Sequence, residues 1–253
     1  MNLDALAEQL RAGQPIRSQR LVDDRWPDLD CQGAHFFGCE FEQVQFTDSN
    51  FAEASFTGCR FHSCRFSHAD LSAAHFKICM FNEADAKSCS FAFCNLQRAV
   101  FDGCRLAFAQ FDRAELFGVE MRDCNLTGAK FEKADFSRAL SRKKIETRAS
   151  FIGCMLDFVD LSDARLPGCS LSGSRLHEAD LSNADLTDAD LTDCNLFHAV
   201  LDGARLTGAQ LQDAEVSGLD LTRLADFAGL QISDDQMLQL LEAMGVLVYV
   251  RNG

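Results

Sequence analysis

Long hydrophobic runs are missing from this sequence of 253 residues. No stretch approaches the ~18 consecutive apolar residues that a membrane-spanning helix requires. The first ten residues, MNLDALAEQL, also lack the basic start and the apolar run of a secretory signal peptide. We therefore expect a cytoplasmic protein that does not enter a membrane.

Residue sets that catalyse reactions are missing as well. The sequence contains no glycine-rich phosphate loop and no serine nucleophile elbow. No nucleophile, general base or set of metal ligands comes together in the pattern described below. We therefore expect a protein without enzymatic activity and without a bound metal or cofactor.

Basic residues are scarce in one half of the chain. Residues 35–150 carry 15 acidic and 15 basic side chains, whereas residues 151–226 carry 14 acidic and 4 basic ones. Such an acidic region repels nucleic acid and attracts basic protein surfaces. The alternative is that aspartate suits tight corners and keeps the protein soluble. The aspartates that we expect to face outward are Asp160, Asp180, Asp185, Asp188, Asp190 and Asp193.

A repeat of five residues organises the chain. Residues 179–196 read ADLSNADLTDADLTDCNL, with leucine at every fifth position and a small residue two positions before it. Neither the helical period of 3.6 nor the strand period of 2 produces this pattern, which is typical of a repeat array. The same phase gives 21 repeats from Phe36 to Phe136 and 15 from Phe151 to Leu221, and only Ala86 among these central positions is not large and apolar.

The 12 cysteines would ordinarily suggest disulfides or a zinc site. Eleven of them occupy the small position of the repeat, which is otherwise mostly alanine with a few serines and valines. We therefore expect buried, unpaired thiols that act as small hydrophobic side chains. So many free thiols also indicate a reducing compartment.

At this point the sequence resembles the pentapeptide-repeat family, whose motif is written A(D/N)LXX. The resemblance implies an all-β solenoid, a right-handed quadrilateral β-helix with one pentad on each face and four in each coil. Residues 20 positions apart would then stack on successive coils. The central and small residues point inward, and the other three positions of each pentad face water.

The repeat and its interruptions divide the chain into five expected segments. Residues 1–35 form an N-terminal cap, a short helix followed by an irregular first coil. Residues 36–136 are a Phe-rich half and residues 151–226 a Leu-rich acidic half, separated by a basic insertion at 137–150. Residues 227–253 form a C-terminal cap.

The insertion reads SRALSRKKIETRAS and places polar side chains where central residues belong. Burying those side chains without partners would be costly, so we expect a loop extruded from the rod. Its basic residues are a candidate contact for a partner, the alternative being a neutral insertion on a tolerant surface. These residues are Arg138, Arg142, Lys143, Lys144 and Arg148.

The C-terminal segment combines a helix and a short apolar run. Ser233 and Gln236 form a capping-box pattern before the helix, and residues 246–250 read as a strand. The apolar residues exceed what covers one coil, which predicts a two-fold homodimer contact. We assign this contact to Met237, Leu238, Leu241, Met244, Val246 and Val248.

The repeat body, the mid-chain loop and the tail QMLQLLEAMGVLV resemble the Qnr-type and MfpA-type subgroup of the family. That resemblance implies an acidic dimeric rod that occupies the DNA-binding saddle of DNA gyrase or topoisomerase IV, and protects the enzyme from inhibitors such as quinolones. The basic loop would contact the enzyme, and the protein would not bind nucleic acid directly. The chain departs from the subgroup in its length, its N-terminal helix and the lack of a counterpart to the first of the two Qnr loops. The alternative function is that of an interaction scaffold or effector with another partner.

Overall fold

The computed structural model of the protein describes residues 3–22, 25–26, 30–82, 88–141 and 144–248. Two α-helices lie near the chain ends, α1 at Leu3–Arg11 and α2 at Gln236–Ala243. A 3-10 turn at Leu221–Arg223 precedes α2. The strands of the described residues are β1 (Ile16–Arg17), β2 (Arg20–Val22), β3 (His35–Phe37), β4 (Glu40–Glu42), β5 (Ser55–Thr57), β6 (Arg60–His62), β7 (His75–Lys77), β8 (Val100–Asp102), β9 (Val119–Arg122), β10 (Ser137–Ser141), β11 (Lys144–Thr147) and β12 (Ala149–Ile152).

Parallel ladders join residues that lie 20 positions apart in the chain. Phe36 is the register partner of Phe56, and Phe56 is the partner of Phe76. One sheet runs in the order β1-β3-β5-β7-β8-β9-β12 and another in the order β2-β4-β6. Isolated bridges, such as the one between Asp160 and Asp180, continue the ladders through the acidic half. Because a return to the same face takes four pentads, the predicted quadrilateral β-helix is confirmed.

The central residues of the pentads form one buried column along the rod. Phe36, Phe56 and Phe76 stack face to face, with ring centroids 4.8 and 4.9 Å apart. This spacing equals the distance between hydrogen-bonded strands, so the backbone ladder itself sets the stacking of the rings. In the acidic half leucines such as Leu186 fill the same positions and are fully buried.

The second residue after each central one turns the corner between two faces. Asn183 and Asp188 occupy this position with φ angles of 58° and 55°, in the left-handed region. Glycine, asparagine and aspartate tolerate this conformation best. The corner geometry therefore explains why these residue types recur at the last position of the motif.

The register shows two insertions, whereas the sequence predicted one. Arg60 pairs with Met80 at the usual spacing, but Met80 pairs with Arg105, which is 25 residues further on. The chain between Phe81 and Phe91 thus holds one pentad more than the coil needs. The prediction of Ala86 as a central residue falls on residues 83–87, which lie outside the described residues. The expectation of a single insertion in the repeat was wrong.

The second insertion lies between Phe136 and Phe151. Asn125 pairs with Met155, which is 30 residues further on, so this coil holds ten residues more than its neighbours. Strands β10 and β11 pair antiparallel within this insertion. Strand β12 then rejoins the parallel ladder beside β9.

The cysteines line the interior as free, buried thiols, which confirms their predicted burial. Cys59 Sγ donates a hydrogen bond to the Phe36 carbonyl oxygen of the preceding coil at 3.6 Å. Cys79 and Cys104 repeat this contact one and two coils further along, and Ser174 Oγ makes it in the acidic half. Burial raises the pKa of the Cys194 thiol to about 12. The Cys194 thiol is therefore protonated and can donate a hydrogen bond.

The two ends of the rod are covered by non-repeat segments. Leu6 of α1 is buried in the common core, and the indole of Trp26 packs edge-on against Phe46 with centroids 5.2 Å apart. At the other end Leu240 of α2 is buried. The strand predicted for residues 246–250 is wrong for its described part, because residues 246–248 form no strand. None of the helices in the described ranges has the length and hydrophobicity to cross a bilayer.

Candidate protein-interaction surface

The basic insertion is a β-hairpin that projects from one corner of the rod. Its register pairs Ser137 with Thr147 and Ala139 with Ile145. The hairpin is tied to the coil at its base, where the Arg148 amide donates to the Phe136 carbonyl oxygen at 3.1 Å. The paired strands satisfy their own backbone groups, so the insertion needs no place in the parallel ladder.

The predicted basic residues of this hairpin have different surroundings. Arg138, Lys144 and Arg148 are exposed, whereas Arg142 and Lys143 lie outside the described residues. The guanidinium of Arg138 lies 5.0 Å from the centre of the Phe117 ring. Arg148 lies 4.0 Å from a carboxylate oxygen of Glu120. Lys144 therefore has the fewest described contacts of the three and is the freest to meet a partner.

Two apolar side chains of the hairpin were missed by the sequence reasoning. Leu140 is 42% exposed and Ile145 is 58% exposed. Both stand at positions that break the repeat, which was the signal available in the sequence. The described strands of the hairpin thus offer a mixed basic and apolar surface, which is typical of protein contacts rather than of nucleic-acid contacts.

Four of the six predicted outward aspartates also stabilise corners of the rod. Asp185 Oδ1 accepts hydrogen bonds from the amide and the hydroxyl of Thr187, at 3.2 and 2.7 Å. Asp160, Asp180 and Asp190 accept the equivalent amide hydrogen bond from the residue two positions on. These four side chains are half-buried. The alternative interpretation of the aspartates as corner residues therefore applies to them, while the free carboxylate oxygens still face outward.

Asp188 and Asp193 differ from the other four. Both are exposed and occupy the left-handed corner position, with φ angles of 55° and 57°. Asparagine or glycine would serve that backbone conformation without a charge. The turn conformation therefore does not explain the negative charges at these two positions.

One ion pair of the acidic half has a carboxylate that is shielded from solvent. Arg175 Nε lies 2.8 Å from both carboxylate oxygens of Asp157, whose side chain is only 9% exposed. The hydrogen bond to Asp157 raises the pKa of Arg175. This pair uses up one of the few basic residues in the region, so it leaves the surrounding field acidic.

The residues predicted to form the dimer contact lie on and after α2. Met237 is 56% exposed, Leu238 39%, Val246 43% and Val248 39%. Leu241 is half-buried, and Met244 packs against the core. Met244 therefore helps to hold the cap on the rod, and the four exposed side chains form an apolar surface on it.

Gln236 attaches the C-terminal cap to the last coils. Its side-chain carbonyl accepts a hydrogen bond from the Ser233 amide at 2.7 Å, which is one half of the predicted capping box. Its Nε2 donates to the carbonyl oxygens of Leu211 and Ala214 at 2.7 and 2.6 Å. Asp235 is the N-cap of the helix, which begins at Gln236. Gln236 thus satisfies backbone groups that the end of the ladder would otherwise leave unpaired.

No cluster of three or more metal-ligating side chains occurs within the described ranges. The cysteines face inward and hydrogen-bond to the backbone, as described above. What the surface offers is a protruding basic hairpin, an acidic half and an apolar cap, which are features of protein recognition.

Comparison with known proteins places the chain among repeat proteins of one kind. A family model described as "Pentapeptide repeat region" matches residues 34–111, and one described as "Pentapeptide repeats (8 copies)" matches residues 104–140, 154–193 and 189–223. No curated protein sequence gives a significant match.

Solved structures of QnrB1, a plasmid-mediated fluoroquinolone resistance protein, share the fold. One trypsin-treated variant is 25% identical with a TM-score of 0.74, and covers 92% of this chain and 100% of its own. Another is 24% identical with a TM-score of 0.70 over 93% and 100% of the two chains. The full-length protein is 24% identical with a TM-score of 0.62 over 91% and 99%. Taken with the register of the coils and the buried central residues, these matches show that the chain belongs to the pentapeptide-repeat family and is Qnr-like within it.

Proposed function

We propose that this chain is a non-enzymatic, cytoplasmic DNA mimic that binds a type II topoisomerase, either DNA gyrase or topoisomerase IV. In this role it modulates the enzyme or protects it from inhibitors such as quinolones. The likeness to QnrB1 over nearly the whole chain supports this proposal, because that protein is described as conferring fluoroquinolone resistance.

The observation that carries the proposal is the uneven charge of the rod. Residues 151–226 hold 10 more acidic than basic side chains, and the whole chain has a net charge of −14. A DNA-binding surface is basic, so such a rod is attracted to it and competes with DNA. Successive coils are ~4.8 Å apart, whereas DNA presents one phosphate charge per ~1.7 Å of axis. The mimicry is therefore one of shape and overall field, without a match of individual charges.

In this proposal the basic hairpin contacts the enzyme outside its DNA-binding surface. Like charges repel, so Lys144 and its neighbours would not dock on a basic saddle. The exposed Leu140 and Ile145 give the hairpin apolar contacts that do not depend on charge. A second attachment point of this kind would fix the rod in one register on the enzyme.

Two copies of the chain would join through the exposed apolar surface of the C-terminal cap. A two-fold axis there would bring the four exposed cap side chains of one copy against those of the other, and would double the length of the rod. The double substitution Met237→Asp and Leu238→Asp should give monomers in light scattering, with Gln239→Glu as the control. Dimers that persist in the double variant would contradict this interface.

A supercoiling assay with purified gyrase, with and without a quinolone, tests the proposed function. We expect inhibition of supercoiling or rescue from the drug as the protein concentration rises. No effect up to tens of micromolar would contradict the proposal and would favour the scaffold with another partner.

Removal of the hairpin separates its role from that of the rod. Deletion of residues 138–147 removes ten residues, which restores the spacing of five between Phe136 and Phe151. The circular dichroism spectrum of the rod should then persist, while the effect on gyrase weakens. A hairpin-free rod that acts on gyrase as strongly as the intact chain would show that the hairpin makes no contact.

A further inference from the structure

Three phenylalanines outside the central positions are each covered by an arginine of the same chain. The guanidinium of Arg17 lies 4.3 Å from the centre of the Phe37 ring. Arg113 lies 5.6 Å from the centre of the Phe93 ring, and Arg138 covers Phe117 as described above. All three rings lie before residue 151, where the charges balance. Phe117 is itself buried, and among the described residues the exposed Phe93 is covered by an arginine of its own chain, whereas no described arginine lies over Phe108, which is 61% exposed.

The acidic half contains two outward phenylalanines in different surroundings. Phe158 is 53% exposed and Phe197 is 39% exposed. Within the described part of the chain, no arginine or lysine lies over either ring. Their ring contacts are with histidines, and we call the group of Phe158, His177, Phe197 and His198 the aromatic corner.

The rings of the aromatic corner form one continuous surface across three coils. His177 stacks on Phe197 with centroids 5.5 Å apart and an angle of 6° between the rings. Phe158 meets His177 edge-on at 5.9 Å, and His198 meets Phe197 edge-on at 4.1 Å. Ladder hydrogen bonds hold the coils in register, for example from the Phe158 amide to the His177 carbonyl oxygen at 3.0 Å. The surface is therefore rigid before any partner binds.

The fold does not require aromatic residues at this corner. Phe158 and His198 occupy the left-handed turn position, with φ angles of 56° and 58°. Glycine fills the equivalent position on other coils, as Gly128 and Gly218 show with φ angles of 65° and 84°. A bulky side chain is unfavourable in this conformation, and here it gains little burial in return. The aromatic residues therefore need a reason outside the folded chain.

The surroundings of the aromatic corner are acidic. Glu178 Oε1 lies 3.6 Å from His177 Nε2, and the Glu178 side chain is 51% exposed. Asp160 and Asp180 follow two residues after Phe158 and Glu178 in the chain. The nearby Arg175 is held by Asp157 and does not serve the rings. An electron-rich ring face beside outward carboxylate oxygens is the environment that a guanidinium group prefers.

We propose that the aromatic corner receives arginine side chains of a basic protein partner, which stack on Phe158 and Phe197 while the neighbouring carboxylates bind the guanidinium groups. This inference rests on the proposed function in that it names where the basic partner makes a directional contact. It assigns to the partner the kind of contact that Arg113 makes with the exposed Phe93 within the chain.

Titration with a synthetic Arg-Gly-Arg repeat peptide at low salt tests the contact directly. The double variant Phe158→Ala, Phe197→Ala should bind the peptide roughly 2- to 30-fold more weakly for each ring that contributes. The control Phe93→Ala removes an exposed ring that Arg113 already covers, and it should bind like the original chain. A lysine version of the peptide should bind more weakly than the arginine version, because the planar guanidinium stacks on rings.

Three outcomes would overturn this inference. One is equal peptide binding by the double variant and the control. Another is loss of self-association in the double variant, which would make the corner a contact between copies. The third is tight binding of a single-stranded oligonucleotide that depends on the same two rings. An unchanged thermal unfolding midpoint of the double variant shows that any effect comes from the surface.

Binding of the same variants to gyrase separates this inference from the proposed function. If the original chain and the double variant bind gyrase equally well, the inference about the aromatic corner is wrong and the proposed function stands. Suppose instead that the original chain does not bind gyrase, but binds the arginine peptide more tightly than the double variant does. The proposed partner is then wrong and the arginine contact stands.

Discussion

The Phe-rich half and the Leu-rich acidic half share one backbone and differ in their interiors. In the first, Phe66 stacks on both Phe46 and Phe91, with centroids 4.8 and 5.0 Å apart. In the second, branched aliphatic side chains such as Leu186 fill the same column. Both interiors satisfy the same ladder, so the coil accepts any large apolar residue whose stack matches the strand spacing.

The outer surfaces of the two halves differ more than the interiors. In the Phe-rich half, ion pairs cross between coils, as in Arg60 with Glu40 at 2.8 Å and Lys77 with Asp102 at 3.9 Å. In the acidic half most carboxylates serve corner hydrogen bonds or face water alone. Since exposed ion pairs add little stability, this difference is not required by folding. In the proposed function, the acidic half is therefore the one that faces the partner.

The largest expected effect comes from the interior of the Phe-rich half. Phe66→Ala should lower the free energy of unfolding by about 3–5 kcal/mol, because it leaves a cavity between two stacked rings. Leu186→Ala in the acidic half should cost about 2–4 kcal/mol. Urea denaturation followed by circular dichroism measures both. A smaller loss for Phe66→Ala than for Leu186→Ala would contradict the role of the ring stack.

The shielded ion pair of the acidic half should come next. Arg175→Ala leaves the nearly buried Asp157 carboxylate without its partner, which should cost about 1–3 kcal/mol. Arg165→Ala is the control, since this exposed arginine of the same half should be neutral to within about 0.5 kcal/mol. Equal stability of the two variants in urea would show that the pair is not a structural element.

The thiol column distinguishes hydrogen bonding from packing. Cys124 Sγ donates to the Phe101 carbonyl oxygen at 3.4 Å, the contact that Ser174 makes with its hydroxyl in the acidic half. Cys124→Ala should therefore destabilise the rod by about 1 kcal/mol. Cys124→Ser keeps a donor and should cost less. A serine variant less stable than the alanine variant would show that packing alone decides this position.

The smallest expected effects lie among the aspartates of the acidic half. Asp185→Ala removes two corner hydrogen bonds and should cost about 1 kcal/mol, whereas Asp188→Asn keeps a residue that tolerates the left-handed turn and should be neutral to within about 0.5 kcal/mol. Thermal unfolding compares the two. If Asp188→Asn destabilised the rod as much as Asp185→Ala, the exposed charge would have a structural role that the turn geometry does not show.

Much of the fold follows from the sequence because a large apolar residue at every fifth position shows which side chains point inward. The burial of Cys59, Phe66 and Leu186 follows directly from that phase. The sequence pattern did not predict the extra pentad between Phe81 and Phe91, because an insertion of five residues preserves the phase of the repeat. The register of the ladders reveals it, for example between Met80 and Arg105.

Surface contacts were harder to predict, because at a corner the side chains that touch on successive coils can be 21 rather than 20 positions apart. The rings of His177 and His198 lie 21 positions apart and still approach within 6.3 Å, since one precedes the corner and the other occupies it. Counting in steps of 20 misses such contacts. The sequence likewise gave no sign that Asp185 binds the backbone while Asp188 does not.

Hydrogen exchange of the rod alone and in the presence of gyrase tests the central claim, that the acidic half faces the partner. We expect exchange to slow in residues 151–226 and in the hairpin, and to stay unchanged on the outer faces of residues 36–136. Protection confined to the Phe-rich half, or no protection anywhere at saturating gyrase, would contradict this account.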